Sequence, residues 1–89
     1  MQVREIRLRN TQGLHARVAA RVVKVAGRFK SRIVLGVGER RASARSIMAV
    51  MMLAAGKGSK VMLETSGPDE DEAMNALCAL VADYFGEGQ

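Results

Sequence analysis

The chain has 89 residues, of which 48 % are hydrophobic and 26 % charged, and carries a formal net charge of +5. That length allows one domain with one modest core, and no run approaches the ~20 apolar residues of a membrane span. Its single cysteine, Cys78, excludes an internal disulfide and, beside the single histidine, makes a poor metal site. No metal, cofactor or membrane insertion is therefore expected, and a reducing cytosol suits the chain. Arg4, Glu5, Arg7 and Arg9 charge the N-terminal stretch, which argues against a secretory leader. The positive charge would attract an acidic protein, a nucleic acid or an anionic surface. The only aromatics, Phe29, Tyr84 and Phe85, fall at positions that helical or core packing explains, so stacking platforms for single strands are missing.

In chain order, Val3 to Leu8 reads as a strand with Ile6 and Leu8 on one face and Arg7 and Arg9 on the other. Asn10 to Gly13 is a turn cluster. From Ala16 to Gly27 two stripes share helical spacing: Val18, Val22, Val25 and Phe29 as a core face, and Arg17, Arg21, Lys24 and Arg28 as a basic edge one residue earlier. Gly27 terminates this helix. Ser31 to Val37 alternates as a second strand with Ile33, Leu35 and Val37 inward, and a Gly36–Gly38 turn returns a short third strand through Arg40 to Ser43. Ser46 stands where an N-cap belongs before the run Ile47 to Leu53, in which Ile47, Val50 and Met51 share a face apart from Met48 and Met52. Gly56-Lys57-Gly58 ends that helix. Lys60 to Thr65 is a fourth strand with Val61 and Leu63 pointing one way. The last helix starts at Ser66-Gly67-Pro68, with Asp69, Glu70, Asp71 and Glu72 in its first turn and Ala73, Leu77, Leu80, Val81 and Tyr84 as its stripe. Gly86 closes it, and Cys78 packs beside the stripe as a small hydrophobe.

The order β-α-β-β-α-β-α over residues 1–89 implies an α+β domain: an open-faced two-layer sandwich with three helices on one face of a four-stranded antiparallel sheet.

His15 lies at the strand-to-helix junction inside Gly13-Leu14-His15-Ala16-Arg17. Histidine is the side chain suited to act as a nucleophile or proton carrier near neutral pH. At a helix start it stands over unpaired N–H groups and the positive end of the dipole, a setting for an anion such as phosphate. The other reading is a helix cap, and spacing alone leaves both open.

Gly13 to Arg17 also resembles the active-site motif of the HPr family, the histidine-containing phosphocarriers of the bacterial phosphoenolpyruvate-dependent sugar phosphotransferase system. Ala44-Arg45-Ser46-Ile47-Met48-Ala49-Val50-Met51 resembles the regulatory serine motif of the same family, and Gly56-Lys57-Gly58-Ser59 its turn before the last strand. The resemblance spans nearly the whole chain, without gaps between the two motifs, and the family's fold agrees with the element order above. It implies a carrier rather than an enzyme. His15 would accept a phosphoryl group on Nδ1 from phosphorylated enzyme I and pass it to sugar-specific IIA components. Arg17, with the N–H groups of Ala16 and Arg17, would hold the phosphoryl oxygens. The family usually has proline after the arginine, where this chain has Val18; the expected result is looser preorganisation of the first turn rather than lost function.

By the same resemblance Ser46 is a phosphorylation site for an HPr kinase/phosphorylase, alongside its plain reading as an N-cap. The partner surface would combine Ala16, Ala20, Lys24 and Gly27 with Ile47, Met48, Met51 and Met52, methionine being adaptable to several partners. Met51 is expected to fill a core gap, and Met48 to be exposed. A monomer is expected. Two other functions fit the chain: an HPr-like regulator of a nitrogen-related or signalling branch, and a small basic nucleic-acid-binding domain.

Overall fold

The computed structural model describes residues 1–9 and 13–83. Alternating apolar residues build a sheet of β1 (Gln2–Arg7), β2 (Arg32–Val37), β3 (Arg40–Ser43) and β4 (Lys60–Ser66), and the longer periodic runs build α1 (Ala16–Ala26), α2 (Ile47–Met52) and α3 (Glu70–Ala82). The strands lie in the order β1-β4-β2-β3, every neighbour antiparallel. The element order is the expected one, and the fold is an open-faced α+β sandwich.

Register explains which face the helices cover. Ile6 pairs with Val61 and Leu35 with Leu63, so the inward residues of three strands converge. Ile33, Leu35, Val61 and Leu63 are all at most 3 % exposed, whereas Val3 and Met62 on the other face stand open at 48 % and 37 %. Each such buried side chain contributes about 1.5–3 kcal/mol. Gly38 supplies the positive φ, 59°, that the two-residue β2–β3 hairpin needs.

The helices depart from expectation in instructive places. In α1 Val18 and Val22 are buried, but Val25 and Phe29 only pack against the core's margin, and Ala19 and Ala26 complete the hidden face. Gly27 does end the helix, yet at φ −65°, so it uses no left-handed turn. In α2 only Val50 is fully buried; Met51, expected as a core filler, is 36 % exposed, and Ile47 is 41 % exposed. A six-residue helix has room to bury a single row. α3 starts at Glu70, two residues beyond Pro68, because the Asp69 carboxylate is drawn into a contact with the β2 entry instead of capping its own helix. Met74, 1 % exposed, joins Ala73 and Leu77 in the stripe. Cys78 is half-buried, and Arg4 Nη1 lies 3.4 Å from its Sγ. The readings placed on Asn10 to Gln12, Tyr84, Phe85 and Gly86 lie outside the described residues.

Candidate functional site

The chain enters α1 through a loop fixed by its backbone. Gly13 has φ +63°, and a Cβ there would sit 2.1 Å from the Ala55 carbonyl oxygen, so only glycine fits on both counts. Leu14 donates its N–H to the same oxygen at 2.9 Å and buries its side chain in the core. Ala55 follows Ala54, which holds φ 53°, and the turn beyond is tied back to Leu8 through Gly58 N–H to Leu8 O at 2.8 Å. The spacing of the sequence reveals none of this support. Its one local trace is the glycine two residues before His15.

His15 occupies the N-cap position with extended backbone, φ −81° and ψ 177°, and its carbonyl accepts the Ala19 N–H at 2.8 Å. Its side chain makes no capping hydrogen bond. His15 does cap the helix, as the second reading had it, and does so through its backbone. The imidazole is half-buried, Ala16 and Arg17 are exposed beside it, and the first turn of α1 contains no acidic residue. The helix start therefore keeps its positive character, with a cationic residue, Arg17, in its first turn, and such a start can receive an anion. Val18 sits at the third helical position with 0 % exposure, so a helical first turn forms without proline and the valine side chain serves the core.

Ser46 is the N-cap of α2, as expected: its Oγ accepts the Ala49 N–H at 3.2 Å, and its carbonyl accepts the Val50 N–H at 3.0 Å. Beyond it Met48 and Met52 are 68 % and 70 % exposed. α1 and α2 pack together, with Ala16, Ala20, Lys24 and Gly27 exposed on α1 and the methionines exposed on α2. The residue after α2 that holds Leu14 and the residue before it, Arg45, touch opposite ends of α1, so the two helices run antiparallel. Among the described residues no cluster of three His, Cys, Asp or Glu is placed to hold a metal ion.

Comparison with known proteins decides the family. The family model for the phosphorylation site of the HPr component of the phosphotransferase system matches residues 2–83. The chain belongs to the HPr family. An HPr from Cupriavidus necator is 53 % identical over the full length of both chains, and a carrier named NPr from Shewanella violacea is 39 % identical over 94 % of this chain and 92 % of its own. Among solved structures, an HPr from Thermoanaerobacter tengcongensis superposes with a TM-score of 0.93 at 40 % identity, covering 98 % of each chain. An HPr dimer from the same organism superposes at 0.78 and the same identity, covering 98 % of this chain and all of its own. The HPr family is one of phosphocarriers, which leaves the nucleic-acid reading without support.

Proposed function

We propose that this chain carries phosphoryl groups in the phosphotransferase system, taking one from phosphorylated enzyme I on His15 and handing it to IIA components. The observation that carries the proposal is the imidazole at the start of α1, with Arg17 in the same first turn and no acidic residue there. The Nδ1 lone pair forms the bond to phosphorus as the bond from phosphorus to the donor breaks. Transfer of this kind is mostly positioning and charge stabilisation. Arg17 supplies a two-pronged donor, and the N–H groups of Ala16 and Arg17 take the remaining oxygen charge. The protein needs no active-site base, which fits a carrier rather than an enzyme.

Docking falls to the exposed row Ala16, Ala20, Lys24 and Gly27 with Ile47, Met48, Met51 and Met52. A phosphate on Ser46, placed by an HPr kinase/phosphorylase, would add nearly two negative charges to this basic and apolar face and repel an acidic partner. The carrier works in the cytoplasm as one domain, residues 1–89, and as a monomer, because a face that serves several partners in turn must stay open.

The test is incubation with phosphoenolpyruvate and enzyme I. One acid-labile phosphate is gained by the wild type and none by His15→Ala; a stable modification, or one that persists in His15→Ala, would sink the assignment. The second reading, a regulator of a nitrogen-related or signalling branch, has the likeness to NPr in its favour. Onward transfer to sugar-specific IIA components separates the two.

A further inference from the structure

The Arg45 guanidinium reaches across to the backbone at the end of α1. Its Nη1 donates to Ala26 O at 3.0 Å, and its Nη2 donates to Phe29 O at 2.7 Å and Ser31 O at 2.9 Å. Ala26 is the last residue of α1, so Arg45 takes a carbonyl that the helix leaves without a full intrahelical partner, together with two carbonyls of the linker that follows. This explains how α1 stops at a glycine that uses no left-handed turn. The next residue along, Ser46, caps α2. Arg45 therefore joins the C-terminal end of α1 to the N-terminal end of α2, while the Leu14–Ala55 hydrogen bond joins their other ends.

We propose that Arg45 is a positioning residue for docking: by gripping the end of α1 it fixes Lys24 and Gly27 relative to the α2 methionines. The inference rests on the carrier reading above. Three carbonyls around one planar fork demand an arginine, because an ammonium is a point donor that cannot span them. The two helices are separate short elements, and their relative pose sets whether a partner meets the basic row and the methionines at once. A positioning residue acts on association and leaves chemistry at His15 alone.

The experiment is steady-state phosphorylation by enzyme I of the full chain, comparing wild type, Arg45→Met, Arg45→Lys and the control Lys60→Met. Lys60 is an exposed cation facing the open side of the sheet, so its loss repeats the charge change only. Arg45→Met is expected to raise KM about tenfold with kcat unchanged, and Arg45→Lys to recover only part of that loss. Lys60→Met is expected to match wild type. Backbone amide exchange at Arg28 and Phe29, whose N–H groups bond back to Val25 and Ala26, should quicken in Arg45→Met. Equal KM values for Arg45→Met and Lys60→Met, or full recovery by Arg45→Lys, would overturn the proposal. If Arg45→Met does not fold at the assay temperature, the Arg45→Lys comparison alone decides, an unchanged KM being the negative result. Failure of the wild type to accept phosphate would instead reject the carrier reading, and the exchange rates would still report on the grip.

Discussion

Asp69 accepts three hydrogen bonds from one short segment: the Ser31 hydroxyl at 2.5 Å and Ser31 N–H at 2.8 Å on one oxygen, and Lys30 N–H at 2.9 Å on the other. Ser31 Oγ in turn accepts the Asp69 N–H at 3.1 Å, so the pair is reciprocal and ties the start of α3 to the entry of β2. Gly67, at φ +146°, leaves the room: a Cβ there would lie 2.8 Å from Ser31 Cα.

The Ser31 hydroxyl first, and the Lys30 N–H next, hold the Asp69 carboxyl below its ordinary 3.8. The folded state therefore binds that proton more weakly than the unfolded chain does. The stabilisation is complete above the ordinary value and is lost as pH falls through it towards the lower folded one. Asp69→Asn should lower the urea midpoint at pH 7, and the gap to wild type should shrink below about pH 4. A gap that stays constant from pH 7 to pH 2 would show that charge plays no part.

Ala54 holds a left-handed backbone, φ 53°, with a side chain that disfavours it. Such a conformation costs roughly 1–2 kcal/mol, part of which glycine returns through its freer unfolded chain. Ala54→Gly is expected to gain about 0.5–1 kcal/mol and raise Tm by a few degrees; a fall in Tm would contradict this.

Gly13→Ala meets both a positive φ and the Ala55 carbonyl, so it should lose at least ~2 kcal/mol of stability. Because the loop carries His15, phosphorylation by enzyme I should slow even where the variant is fully folded. Single-turnover rates and chemical denaturation, measured on the same preparation, separate the two effects.

Ser46→Ala removes the cap on the Ala49 N–H and should cost about 1 kcal/mol. Phosphoryl acceptance at His15 should be unchanged, whereas mass gain with an HPr kinase/phosphorylase should vanish. A slower transfer from enzyme I in Ser46→Ala would mean that the cap also shapes the docking face.

Element order and most inward residues were legible because periodicity reports one buried face per strand or helix, and β4 and α1 each have one. The candidate site was proposed from Gly13 to Arg17 and Ser46 because short motifs carry their residues in a fixed local order. Met51 misled because helical spacing ranks residues by face without saying how wide a face the neighbour covers, and α2 covers Val50 alone.

By itself the sequence determined the alternation of strands and helices, the histidine at a helix start and the serine cap, all of which are local. Tertiary structure alone settled that His15 caps through its backbone, that Gly13 rests on Ala55, that the Asp69 carboxylate serves Ser31 rather than its own helix, and that Arg45 closes the far end of α1. Apart from the His15 cap, each of those contacts brings a backbone group to a residue distant along the chain, and hydrogen bonds to a carbonyl or an N–H leave no periodicity for a sequence to display.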